Sequence, residues 1–184
     1  KYLDNIITRI KRFFWFNPSW KNIERFNPDW RLRIKCMASF IEPEDNIVVD
    51  LGCGPMWLRQ EISDSVQYIG VDYKDRGKDS LVCDLNLGQF PNIQADVFFV
   101  SGCMEYVEDW RLLVHRISDQ SKKCILSYCC LDEVNTKHLR AANAWVSSAT
   151  DLEIIDEFSK FGMPLLERKK FDLNNTIFVF GRDD

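Results

Sequence analysis

Histidine is nearly absent from this 184-residue chain: there are only two, His115 and His138. Neither has a cysteine at metal-ligand spacing. The seven cysteines (Cys36, Cys53, Cys83, Cys103, Cys124, Cys129 and Cys130) include no Cys-x-x-Cys pair, so no metal site is expected. Their number is odd and most lie in or beside apolar strand-like segments, which reads as small buried hydrophobes in a reducing cytoplasm. No apolar run reaches the roughly 18 residues that span a bilayer. No signal peptide is expected, because Arg9, Lys11 and Arg12 interrupt the aromatic first twenty residues. Position 1 is Lys rather than Met, so the native N-terminus is expected to lie upstream. Basic charge is also unevenly supplied: residues 1–36 hold nine Lys/Arg against three Asp/Glu, whereas the other 148 carry a net −10. An acidic body argues against a broad nucleic-acid groove.

What is present divides at about residue 45. Residues 1–45 form an N-terminal arm with an internal echo, Phe16-Asn17-Pro18-Ser19-Trp20 and Phe26-Asn27-Pro28-Asp29-Trp30. Asn before Pro starts helices, so three are predicted, over 2–14, 18–25 and 28–41. The arm reads as a helical layer or lid on the main domain. Ile6, Ile7, Ile10, Phe13 and Phe14 fall at helical spacing among basic residues, so a membrane-surface role is the weaker alternative for it.

From residue 46 to 184, strands and helices alternate. Strands are predicted over 46–51, 67–72, 80–84, 96–101 and 124–129, with helices over 56–63, 109–118 and 150–161. Thr150-x-x-Glu153 forms a capping box and Gly162 a stop. Two last strands, 165–172 and 176–182, meet at Asp172-Leu173-Asn174-Asn175 as an antiparallel hairpin. The fold class is therefore α/β: a doubly wound, mostly parallel seven-stranded sheet with a C-terminal antiparallel hairpin. In such sheets ligands bind beyond the carboxyl ends of the strands.

At those ends stand Asp50-Leu51-Gly52-Cys53-Gly54 after strand one and Asp72 after strand two. Asp84-Leu85 follow strand three, and Ser101-Gly102-Cys103-Met104-Glu105-Tyr106 follow strand four. The glycines let backbone approach a ligand, and Asp72 can accept hydrogen bonds from a ribose diol. A dinucleotide fingerprint wants glycine three residues past its second glycine, and Trp57 is there instead, which turns the loop away from NAD.

In this order the four segments resemble the class I S-adenosylmethionine-dependent methyltransferases over about residues 46–182. The one departure is Met56, where a third glycine is common in that family. The resemblance implies S-adenosylmethionine as cofactor, held by Asp50, Gly52, Cys53, Gly54, Asp72, Tyr73, Asp84, Leu85, Ser101 and Gly102. It implies methyl transfer to a small molecule, since the chain is little more than a catalytic domain with an arm. A DNA substrate is not expected, because Ser101-Gly102-Cys103-Met104 replaces the Asn/Asp-Pro-Pro-aromatic segment of DNA amino-methyltransferases. Trp20, Trp30 and Trp145 could stack on a saccharide or nucleotide sugar.

A general base is needed only for a poorly acidic nucleophile. Glu105, Tyr106 and His138 are candidates to border the acceptor, with Asp132 and Glu133 open. His115 reads as a helix-face residue. The alternative to an enzyme is a non-catalytic module that binds the cofactor or a partner on the same fold.

Overall fold

A computed structural model describes residues 26–133 and 137–182. The helices expected over 2–14 and 18–25, the stripe from Ile6 to Phe14, and Trp20 lie outside the described residues. Among the described residues, no helix is long and apolar enough to cross a membrane.

The apolar runs become the middle of a sheet. Strands β1 (Ile47–Leu51), β2 (Gln67–Asp72), β3 (Ser80–Val82), β4 (Ala95–Ser101), β5 (Ser121–Tyr128), β6 (Leu165–Lys170) and β7 (Thr176–Gly181) form one seven-stranded sheet. Its order is β3-β2-β1-β4-β5-β7-β6. The first five strands pair in parallel, and β7 runs antiparallel to both β5 and β6. The seven strands and the closing hairpin are those expected. Strand order reverses between β1 and β4, which opens a crevice beyond their carboxyl ends.

Alternation along the strands sends side chains to two cores. Val49, Leu51, Phe98, Val100 and Leu126 pack with helices α2 (Trp110–Gln120) and α4 (Asp151–Lys160). Val48, Val97, Phe99 and Ile125 face the other way, onto Leu58 and onto Met37 of α1 (Trp30–Ala38). Burying Met37 completely contributes about 1.5–3 kcal/mol.

Several boundaries differ from expectation, each for a local reason. The helix predicted over 56–63 is a single 3₁₀ turn, Trp57–Gln60. Met56 enters it in the left-handed conformation, and Ser63, Asp64 and Ser65 bond among themselves and to Arg59 rather than extending a helix. The sheet face onto which Leu58 of this turn packs is covered further by α1. That helix spans Trp30–Ala38, not 28–41, because Asn27 spends its side chain on Asp29 N–H (3.0 Å) and its carbonyl on Trp30 N–H. β3 stops at Val82, where Asp84 caps the next 3₁₀ turn, and β5 begins at Ser121, three residues early. The polar stretch 132–147 contains a short helix, α3 (Lys137–Ala142). The Thr150–Glu153 capping box forms as expected, and Gly162 ends α4 with φ +71°.

Candidate functional site

The loop after β1 holds its shape because two of its residues lack a side chain. Gly52 and Cys53 both donate their N–H to the Val71 carbonyl (2.7 and 3.1 Å), turning the chain off the sheet. Gly52 has φ +73°, and a Cβ there would lie 2.7 Å from Cys103 Sγ. Gly54 has φ +48°, and a Cβ there would lie 2.5 Å from Phe26 Cε2. Met56 also sits in left-handed backbone at φ +53°, so the turn that favours a third glycine is kept without one. For an L-residue this costs about 1–2 kcal/mol. The Met56 side chain, packed against the Met37 cluster, offsets part of it.

Three acids stand at or near the strand ends. Asp50 is buried in β1 and accepts from Tyr68 Oη (2.8 Å). Burial pushes its pKa up to about 7, opposed by the Tyr68 hydrogen bond and helped by the Asp72 charge. Between its ordinary value of 3.8 and about 7, the folded protein holds a proton that the unfolded chain releases. Stability therefore falls as pH rises through this window. Asp50→Asn should remove that slope, so its melting temperature relative to wild type should rise between pH 5 and 8. Parallel pH–melting curves for the two proteins would refute the assignment.

Asp72 Oδ2 accepts from Gly54 N–H (3.0 Å), tying the end of β2 to the glycine loop. Arg76 lies against the same carboxylate. Its Nη2 donates to Oδ1 (3.3 Å), while its Nε sits 3.1 Å from Oδ2 without hydrogen-bond alignment. Asp84 Oδ1 accepts from Asn86 N–H (3.0 Å) as a cap, with Leu85 beside it.

After β4, Gly102 takes φ +62° and donates its N–H to Ser127 Oγ (3.0 Å). Glu105 is only 2% exposed. Its Oε1 accepts from Cys129 N–H (3.0 Å), and its Oε2 is buried with no partner. Burial pushes the Glu105 carboxyl up, opposed by its own N–H, the Arg33 charge and Cys129 N–H. Burial also raises the Tyr106 phenol, so it stands as a neutral group, with Trp145 hydrogen-bonded to it.

These residues surround one cavity of about 400 Å³ at the carboxyl edge. Asp50, Gly52, Cys53, Asp72 and Tyr73 line one side, and Asp84, Leu85, Ser101 and Gly102 continue the wall. Gly54 adjoins it through its bond to Asp72. Glu105, Tyr106 and Trp145 close the far side, and Phe26, Trp30 and Trp57 form an aromatic rim. Four cysteines line it, Cys53, Cys83, Cys103 and Cys129. Burial raises all four, so each is a neutral thiol rather than a nucleophilic thiolate. Among the described residues, no group of His, Cys, Asp and Glu could hold a metal.

Other candidates stand away from the cavity. His138 is exposed on α3 and is not in its wall. His115 lies on the surface of α2, paired with Asp119 (3.2 Å) and stacked on Phe161. Asp132 accepts from Asp151 N–H, and Glu133 pairs with Lys170 (2.6 Å).

Sequence reasoning passed over Arg33, Arg76, Arg140 and Asn175. Arg76, four residues past the acid it meets, is the one whose spacing could have signalled it. Arg140, 6% exposed, donates to the carbonyls of Cys129 (3.0 Å) and Ser147 (2.5 Å) and to Tyr128 Oη (3.3 Å). It thereby pins the segment that carries Trp145 over the edge.

No protein-family model and no curated protein sequence matches the chain. Solved structures do. The pyocyanin biosynthetic protein PhzM superposes with a TM-score of 0.67 at 15% identity, over 94% of this chain and 64% of PhzM. The chain thus spans less than two thirds of that relative. The 1,6-didemethyltoxoflavin N1-methyltransferase of Burkholderia thailandensis, solved with bound 1,6-didemethyltoxoflavin and S-adenosylhomocysteine, gives 0.66 at 10% identity, over 89% of this chain and 82% of that one. The CcbJ methyltransferase of Streptomyces caelestis gives 0.65 at 10% identity, over 86% and 91%. The chain has the class I methyltransferase fold.

Proposed function

We propose that this protein is an S-adenosylmethionine-dependent methyltransferase of a small molecule. The observation that carries it is the glycine loop. Two glycines stand at positive φ with no room for a Cβ, and the second is hydrogen-bonded to Asp72, which faces the cavity. This is a cradle for a nucleoside that approaches backbone. Asp72 suits the ribose diol, Asp84 and Leu85 the adenine, and Gly52, Cys53, Ser101 and Gly102 the methionine part. The methyltransferase with bound S-adenosylhomocysteine supports the choice of ligand.

When bound, S-adenosylmethionine supplies a methyl group on a sulfonium that keeps the bonding electron pair on leaving. The protein's share is position and dryness. Phe26, Trp30, Trp57 and Trp145 exclude water around the acceptor. Glu105 Oε2, buried and without a partner, suits the hydrogen of the accepting hydroxyl or amine and can receive that proton. Tyr106, a neutral phenol, serves orientation rather than base catalysis. Trp30 and Trp145 in the cavity wall support a flat or saccharide acceptor, including a nucleotide sugar. The seven free cysteines suit a cytoplasmic setting.

Calorimetry with S-adenosylhomocysteine tests the reading. One molecule should bind per chain, and labelled methyl from S-adenosylmethionine should pass into a small-molecule fraction. No binding would reject the function. Binding without transfer to any metabolite pool would favour a non-catalytic module.

A further inference from the structure

Against Ser101 and Gly102, which the cofactor reading gives to the methionine part, lies a buried arginine to which that reading assigns no role. Arg33 belongs to α1 and is 9% exposed. Its Nε donates to Ser101 Oγ (3.2 Å) and its Nη1 to Asn175 Oδ1 (2.9 Å). Asn175 is in turn fixed by Asp172, which accepts from Asn175 Nδ2 (2.9 Å) and from Asn175 N–H (2.7 Å). The guanidinium is thus held in one orientation by neutral acceptors. No carboxylate lies within ion-pair distance of it among the described residues.

Nη2 is the remaining arm. It lies over Gly102, 2.7 Å from where a Cβ would stand, and donates to no described group. Glu105 and Asp172 feel its charge from beyond ion-pair distance, so the buried guanidinium has no charged hydrogen-bond partner of its own. In the same cavity wall stands Glu105, with Oε2 buried and unpartnered. One unused donor arm and one unused acceptor, in a cavity rimmed by aromatic rings, form a polar pair left open for a ligand.

We propose that the methyl acceptor carries an oxyanion, a carboxylate or a phosphate, received by Arg33 Nη2, while its hydroxyl or amine donates to Glu105 Oε2. Gly102 is the residue that makes room for this contact. The topology separates the anion site from the nucleoside end. Asp72 and Asp84 follow β2 and β3, on one side of β1. Arg33 instead grips the end of β4 and the residue before β7, on the other side. The inference rests on the methyltransferase reading, since it names the acceptor of that same site.

Benzoate, benzamide and inorganic phosphate are the probes, titrated calorimetrically with and without saturating S-adenosylhomocysteine. Wild type should bind benzoate at least about tenfold more tightly than benzamide, its neutral counterpart. Arg33→Gln should lose about tenfold or more for benzoate yet keep S-adenosylhomocysteine affinity within about threefold, and Arg33→Lys should fall between. Tighter phosphate binding that displaces benzoate assigns a phosphate-bearing acceptor, and benzoate without phosphate assigns a carboxylate.

Equal affinity for benzoate and benzamide, unchanged benzoate binding in Arg33→Gln, or no anion binding at all would overturn the proposal. So would a loss of S-adenosylhomocysteine affinity in Arg33→Gln with 5′-methylthioadenosine unaffected. That result gives Arg33 to the carboxylate of the cofactor. A wild type that takes benzoate but not S-adenosylhomocysteine keeps the anion site and rejects the methyltransferase reading instead.

Discussion

Gly54→Val should weaken S-adenosylhomocysteine binding by about 100-fold or more, close to 3 kcal/mol. Three effects act together. Valine must adopt φ +48°, a region that a β-branched residue rarely enters. Its Cβ would start 2.5 Å from Phe26 Cε2, inside van der Waals contact. Any backbone shift that relieves the clash moves the N–H that holds Asp72 Oδ2 at 3.0 Å. The loop and Asp72, the acid proposed for the ribose, are therefore disturbed by a single change. The two strains can be separated with Gly54→Ala alone and combined with Phe26→Ala. If trimming Phe26 restores binding, the clash dominates; if not, the left-handed backbone does. Binding by Gly54→Val within about threefold of wild type would remove this loop from the cofactor site.

Arg140→Ala should destabilise the fold by about 3 kcal/mol, read as a fall of roughly 6–12 °C in melting temperature. The side chain joins two backbone carbonyls and a tyrosine hydroxyl that lie 11, 7 and 12 residues away in sequence. Alanine leaves the Cys129 and Ser147 carbonyls buried without this donor. Tyr128 Oη would keep its bonds to Ser147 Oγ and to Ala149 N–H, so the damage should centre on residues 129–147. Arg140→Lys should recover only part of the loss, because an ammonium lacks the planar fork that reaches both carbonyls at once. A melting temperature within about 2 °C of wild type would show that the segment is held by other bonds.

These two sites differ in how far they could be read before the fold was known. Gly52, Gly54, Asp72 and Asp84 are punctuation at strand ends, and the strands themselves are uninterrupted apolar runs such as Val97 to Val100. Sheet centres buried on both faces leave that signal in sequence. Arg140 leaves none, since its partners are carbonyls brought near by the return of the chain. Arg33 is disguised further by Arg31 and Lys35, two residues either side on the same helix. Only docking of α1 decides that position 33 turns inward while its neighbours stay at the surface. The short turn at Trp57–Gln60 misled for the converse reason. Leu58 and Ile62 stand four residues apart as on one helix face, but Met56 in left-handed backbone and the Ser63-Asp64-Ser65 stretch end the helix before it can lengthen.

The helix α1 offers two successive turns of one face to different tasks. Met37, one turn beyond Arg33, fills the sheet's second core, and Arg33 reaches the cavity. At nine residues it is too short to persist undocked. Ligand occupancy and helix docking are consequently linked quantities: a molecule gripping Arg33 tightens Met37 in its seat, and a loosened Met37 slackens the grip. Amide protons of residues 30–38 should therefore exchange more slowly when an anion is bound, although none of them faces it. Recognition at one end of this helix is stored as order at the other.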